Sequence, residues 1–269
     1  MRKVLVFSLF LLTGLAVSQL LPMLIGDAAV TVKSVTDVLL YVCLAFIMIN
    51  VGREFEIDKS RWKSYALDYF IAMITAAMPW ILICIYYVYV LLPPEYWGDW
   101  EAWKETLLMS RFAAPTSAGI LFTMLAALKL KSSWMYRKIQ VLAIFDDLDT
   151  ILLMIPLQIF MIGMKWQMAA ILTIVALLLV LGWKKMSTYR MRQDWKAILL
   201  YSVLVIAVTQ GVYMLTEHIF GEHEGVHIEV LLPAFVLGMI MAPQHIESKV
   251  EYNVSTAVSY LFMFLVGVS

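Results

Sequence analysis

The sequence predicts an all-α polytopic membrane protein, and its composition, its apolar runs and its charge distribution carry this prediction. Of the 269 residues, 62% are hydrophobic and only 15% are charged, and the mean hydropathy is +0.84. One soluble core cannot bury so many apolar residues. Apolar runs of membrane-helix length recur along the chain, and lysine and arginine concentrate in the short connections between them.

About nine transmembrane helices are predicted from these runs. They cover roughly residues 4–25, 31–51, 64–92, 105–127, 139–162, 166–183, 196–216, 228–243 and 255–269, and the end of the chain cuts the last one short. The first run also fits a signal peptide with a cleavage site near Ala16-Val17-Ser18. We expect a retained helix instead, because the apolar character continues to Ile25.

The distribution of basic residues predicts the orientation of the chain across the membrane. Sixteen lysines and arginines lie in one alternate set of connections, whereas the opposite set holds only Lys33, Lys104 and Lys165. Positive charge accumulates on the cytoplasmic side of membrane proteins. We therefore expect a multi-pass protein of the cell (inner) membrane with a cytoplasmic N-terminus.

Three carboxylates interrupt the apolar run from about Val141 to Phe160: Asp146, Asp147 and Asp149. Asp147 lies about nine residues, or roughly 14 Å along a helix, from the basic pair Arg137-Lys138, which places it near the bilayer midplane. An ionised group there costs at least ~2.5 kcal/mol, so such acids face a cavity, a partner or a transported ion. The alternative is that the acids only cap or bridge buried helices.

The preceding run contains a helix breaker at the same expected depth. Pro115, followed by Thr116 and Ser117, removes one backbone donor and clashes with the carbonyl four residues back. Backbone groups freed within a membrane must find new partners, so an interrupted helix is typical of a polar cavity or an ion site. A simple proline kink is the alternative.

These two features together resemble a known family. A broken helix with Pro115-Thr116-Ser117, about thirty residues before an Asp-Asp pair, resembles the bacterial sodium/proton antiporters of the monovalent cation/proton antiporter superfamily. The segment 142–148 is very similar to the acidic fifth helix of that family. The stretches 50–58, 231–238 and 261–267 resemble its other helices, with less specific motifs.

The resemblance implies a fold, a function and a site. The fold is an inverted repeat, and residues 1–269 would form one membrane transport domain with its ion-site core in 64–163 and scaffold or dimerisation helices in 1–51 and 196–269. The function is exchange of a monovalent cation, first of all Na+, for H+, by a secondary transporter that is not an enzyme and forms a homodimer. Asp147 would bind the cation or a proton alternately, Asp146 would pair with a basic group, and Thr116 and Ser117 would supply neutral oxygens.

The chain departs from the family pattern at three points. Many relatives carry Thr-Asp where this chain has Thr116-Ser117, and Asp149 stands where glycine is common. The lysine-bearing helix and the second interrupted helix of the complete fold would follow the ninth span, so the resemblance implies a C-terminally incomplete chain. Arg111 and Asp149 are possible accessory residues with Pro115, because Arg111 is the only basic residue more than a few positions from the end of a predicted span.

Incompleteness leads to a first prediction. The 269-residue chain should insert into a membrane but not transport, because the half-site of the fourth and fifth spans has no inverted counterpart. Flux measured from the purified chain in vesicles tests this expectation. Robust antiport by a protein of this length would contradict it.

Other functions receive less support from the sequence. Net charge of zero and a pI near 6.9 give no indication of nucleic-acid binding, and we expect no cofactor and no metal site. A non-transporting regulator or degenerate fragment with the same scaffold is the main alternative. An intramembrane aspartyl protease is a remote one, because its Tyr-Asp and Gly-x-Gly-Asp motifs are missing. Asp68, near the cytoplasmic end of the third span, either reaches water or contributes to an ion entrance.

Overall fold

The computed structural model describes residues 2–25, 28–54, 62–113, 138–139, 141–143, 145, 166–220, 228–242 and 249–269. The secondary structure of these residues is helical, which confirms the expected all-α class for them. Their only β-type pairing is an isolated parallel bridge between Tyr189 and Met241.

The described part contains eight α-helices, numbered here in chain order. They are α1 (Arg2–Ile25), α2 (Ala28–Arg53), α3 (Trp62–Tyr86), α4 (Trp100–Met109), α5 (Trp166–Lys185), α6 (Trp195–Phe220), α7 (Leu231–Ile240) and α8 (Lys249–Val268). A π-helical turn, Tyr87–Leu91, extends α3, and a 3-10 turn, Ser110–Ala113, follows α4. Residues 138, 139, 141–143 and 145 are helical too and are called the Lys138 segment.

Four stretches of the described chain are long and apolar enough to cross a membrane. They are Thr31–Arg53, Leu67–Leu91, Trp166–Lys185 and Trp195–Phe220, and they coincide with the second, third, sixth and seventh expected spans. Leu5–Leu21 and Leu231–Ile240 are apolar but shorter. Large apolar side chains such as Leu177 and Leu200, each 63% exposed, point out of these helices. Exposed apolar faces of this extent fit contact with lipid, so the protein is membrane-associated.

Several helices differ from their expected boundaries; α8, for example, begins at Lys249 rather than near 255. The eighth span, expected over 228–243, contains only the ten residues of α7, roughly 15 Å of helix against the ~30 Å of a bilayer core. It ends early because Met241 is extended, with ψ of 135°, and pairs with Tyr189. The fourth helix begins at Trp100 rather than near 105, because Asp99 caps it by accepting a hydrogen bond from the Glu101 amide at 3.1 Å.

The described chain falls into two compact units. The first contains α1, α2, α6, α7, α8 and residues 173–185 of α5. The second contains α3, α4, the Lys138 segment and residues 166–172.

Glycines determine how the helices of the first unit cross. α1 packs against α8, and α2 packs against α7. A Cβ atom at Gly14 would lie 2.9 Å from the Cα of Gly267, and one at Gly238 would lie 3.0 Å from the Cα of Gly52. Both crossings therefore bring backbone against backbone, the close approach that small residues permit in membrane helix pairs.

The connection from α5 to α6, residues 186–194, is fixed to the ends of other helices of the same unit. The side-chain amide of Gln193 donates to the Ala242 carbonyl just after α7. At the end of α2, Arg53 donates to the Gln193 carbonyl at 3.3 Å and to Asn50 Oδ1 at 2.7 Å. Gln193 is only 5% exposed, so this polar cluster joins three parts of the chain in a buried position.

Candidate functional site

Most of the predicted site lies outside the described residues. These are Pro115, Thr116, Ser117, Asp146, Asp147 and Asp149. The backbone of Arg111 is described, within the 3-10 turn Ser110–Ala113. The structure does describe the chain that leads into both halves of the predicted site, α4 before Pro115 and the Lys138 segment before Asp146. Helix α3 contacts both.

One face of α3 is turned toward the interior of the second unit. Its buried side chains follow a spacing of four residues or multiples of four and are called the inner stripe: Asp68, Ala72, Trp80, Cys84 and Val88. Each step of four residues advances about 40° around a helix, so the inner stripe winds gradually around α3 instead of following one straight line. The intervening Phe70, Ile74 and Met78 are 42–53% exposed, so the surface of α3 away from the stripe is apolar and open. The inner stripe includes the residues of α3 that make polar contacts with α4 and with the Lys138 segment.

The C-terminal part of the inner stripe contacts the end of α4. Trp80 donates its indole N–H to the Leu107 carbonyl at 2.5 Å, and Ser110 Oγ donates to the same carbonyl at 3.0 Å. Leu107 is in the last turn of α4, where carbonyls lack helical partners. Cys84 Sγ lies 3.7 Å from Thr106 Oγ1. Helix α3 thus satisfies polar groups where α4 gives way to the 3-10 turn, just before Pro115.

The N-terminal part of α3 contacts the Lys138 segment. Lys138 Nζ lies 2.5 Å from Asp68 Oδ1, and the Asp68 side chain is only 5% exposed. The next residue, Tyr69, meets Phe145 edge to face, with 5.4 Å between ring centroids and 82° between ring planes. Val141 and Ala143 of the segment are 7% and 5% exposed. Two adjacent residues of α3 therefore fix the segment that immediately precedes Asp146.

The structure buries Asp68, which argues against the interpretation that its carboxylate simply reaches water. Its carboxylate does not reach water freely, because Lys138 covers it. Composition could not show this contact, since the two residues are 70 positions apart. One signal was present in the sequence: Asp68 and Lys138 are both expected near the cytoplasmic ends of their spans, so a pair between them was geometrically allowed.

The described residues offer no metal site, because no group of three or more His, Cys, Asp or Glu side chains comes together within them. The cysteines Cys43 and Cys84 are both free and buried, in agreement with a packing role. Neither a protein-family model, nor a curated protein, nor a solved structure matches the chain. Functional inference therefore depends on the residues and on the geometry given above.

Arg111 leads to a second prediction. If it offsets the charge of Asp149, then Arg111→Leu and Asp149→Leu should each reduce folding or activity, and the double replacement should recover part of the loss. A double-mutant cycle on folded yield and transport measures the coupling. Strictly additive losses would instead leave Arg111 as an interfacial anchor whose side chain extends toward the outer surface.

Proposed function

We propose that this protein is a secondary active antiporter that exchanges Na+, or another monovalent cation, for H+ across the cell membrane. The observation that carries the proposal is the acidic run Asp146-Asp147 within an apolar segment, one short basic connection after an apolar segment that contains Pro115. Acids at membrane depth usually face a cavity, a partner or a transported ion, and of these a transported ion fits a neighbouring proline-broken segment best. The four apolar helices long enough to cross a membrane fit the required setting.

The described geometry supports the proposal at the approach to the break. α4 stops at Met109 and tightens into the 3-10 turn Ser110–Ala113 before Pro115 is reached. Such a 3-10 turn is common where an α-helix ends, so the regular helix has already ended before the proline. Trp80 supplies a donor for the Leu107 carbonyl at this end, which is how an interrupted helix is tolerated away from water.

The proposed exchange assigns one role to each residue of the predicted site. Asp147 binds either the cation or a proton, so loading of one releases the other. Asp146 pairs with a basic group, and Thr116 and Ser117 add neutral oxygen ligands, which hard cations prefer. The protein acts as a homodimer in the bilayer, with Na+ and H+ as its small partners.

Cation-dependent proton flux tests the proposal. Two proteins should be purified into vesicles that enclose a pH-sensitive dye: the 269-residue chain and, if the gene encodes further residues, the product of its whole reading frame. With a preset pH gradient, addition of NaCl should dissipate the gradient, whereas choline chloride should not. Parallel additions of KCl and LiCl identify the preferred cation.

The outcomes separate the candidate functions. Flux from the whole reading frame supports the antiporter, whichever result the 269-residue chain gives. No flux with any of the three cations would overturn the proposal and favour a non-transporting regulator or fragment. Cleavage of a membrane-embedded peptide without flux would favour the protease.

A further inference from the structure

We propose that the ion pair between Asp68 and Lys138 is a positioning device for Asp146 and Asp147 and sets the affinity of the protein for its cation. The two residues act through the Lys138 segment rather than as ligands. This inference rests on the proposed antiport function. It adds a determinant of cation affinity that lies away from the helix break and the acidic pair.

The burial of the pair is strongly asymmetric. The Asp68 side chain is 5% exposed and that of Lys138 is 34% exposed. Asp68 is the only buried carboxylate within the described residues. A carboxylate this far from water depends on its partner, whereas a partly exposed lysine can turn toward solvent. The interaction therefore attaches the Lys138 segment to a fixed point on α3.

A second contact aligns the same segment. Phe145 lies seven residues after Lys138, about two helical turns, and so returns to nearly the same side of a helix. Tyr69, the neighbour of Asp68, contacts Phe145 at 5.4 Å between ring centroids. Contacts with two adjacent residues of α3 therefore fix the position of the Lys138 segment along α3 and its rotation about its own axis. Asp146 and Asp147 follow Phe145 directly in the chain, so we expect a change in these contacts to be felt at the predicted cation site.

Helix α3 also holds the other half of the predicted site. Its Trp80 bonds to the Leu107 carbonyl at the end of α4, before Pro115. The inner stripe thus connects the approaches to both halves, the interrupted helix and the acidic run. Groups that orient ion ligands without contacting the ion commonly change its affinity about 10–100-fold when removed. We expect Asp68 and Lys138 to belong to this class.

The experiment compares four variants of the whole reading frame, each normalised to folded protein by size-exclusion chromatography in detergent. Asp68→Asn and Lys138→Met should each raise the KM for Na+ about tenfold, with a smaller change in the maximal rate. Lys138→Arg keeps the charge and should restore a KM close to that of the unmodified protein. Lys104→Met is the matched control, because it breaks an ion pair whose carboxylate, Glu101, is 71% exposed.

Each outcome has a distinct meaning. Raised KM in Asp68→Asn and Lys138→Met, with rescue by Lys138→Arg and no change in Lys104→Met, supports the inference. A loss of folded protein with unchanged KM per folded molecule shows a merely structural pair and overturns it. Absence of Na+-dependent flux in the unmodified protein overturns the proposed function and this inference with it, whereas normal flux with unchanged KM in every variant overturns only the inference.

Discussion

In a full-length protein that shows cation-dependent proton flux, Asp147→Asn should reduce this flux to the level of protein-free vesicles. Asparagine keeps the shape of the side chain but carries no charge and cannot exchange a proton for a cation, so the alternation on which antiport depends is lost. Expression and membrane insertion should remain nearly normal, because an amide is less costly within a membrane than an ionised acid. Flux from vesicles with equal amounts of folded protein measures the effect.

The neighbouring carboxylate gives the sharper comparison. Asp146→Asn should be milder and should change the number of charges moved per cycle, because its inferred role is pairing. Asp194→Asn is the matched control for the chemical change, since the Asp194 side chain is exposed and lies 3.4 Å from the Arg192 guanidinium. Equal and complete losses for Asp146 and Asp147 would refute the division of roles between them.

Gly52→Ala should be among the most damaging single-methyl changes in the first unit. A Cβ at this position would overlap the Phe235 carbonyl and lie 2.9 Å from the Met239 amide nitrogen. These are backbone atoms of α7, which cannot rotate away as a side chain does. We expect a loss of about 3 kcal/mol in the free energy of unfolding, at the upper end of ordinary overpacking. Thermal unfolding of the detergent-solubilised protein measures it.

Alanine substitutions at two other glycines should cause smaller losses of stability, or none, in the same measurement. At Gly182 a Cβ would meet the terminal methyl of Met239, a flexible side chain, so Gly182→Ala should cost much less. At Gly211 on α6 nothing lies within 4 Å, so Gly211→Ala should be neutral or should add up to about 1 kcal/mol through higher helix propensity. If Gly52→Ala melted at the same temperature as Gly211→Ala, the backbone crossing of α2 and α7 would be wrong.

Local features of the structure were predictable because they depend on neighbours in sequence. The helices around Thr31–Arg53 and Trp195–Phe220 follow from apolar runs whose backbone groups bond within the segment. The end of α7 was not predictable in the same way. Its apolar residues favour a longer helix, but pairing between Met241 and Tyr189, 52 positions earlier in the chain, stops it at Ile240.

The glycines show the same difference between what neighbouring residues determine and what distant residues determine. Gly52, Gly238 and Gly267 lie in sequence stretches that resemble the antiporter family. Nothing in these stretches shows which glycine packs against which. The structure pairs Gly52 with Gly238 and Gly14 with Gly267. A glycine permits close approach but does not choose the partner helix; the packing of the whole unit makes that choice.

The sequence by itself determined the membrane character of this protein, its helical class and the residues on which an ion site is predicted. Hydropathy and charge are properties of each segment, and a carboxylate in an apolar run is costly wherever the segment packs. Only the tertiary structure decided that Asp68 is buried against Lys138 and that Trp80 completes the end of α4. Those contacts join residues 70 and 27 positions apart, and the energy of burying a charge or a carbonyl depends on the partner that folding brings to it.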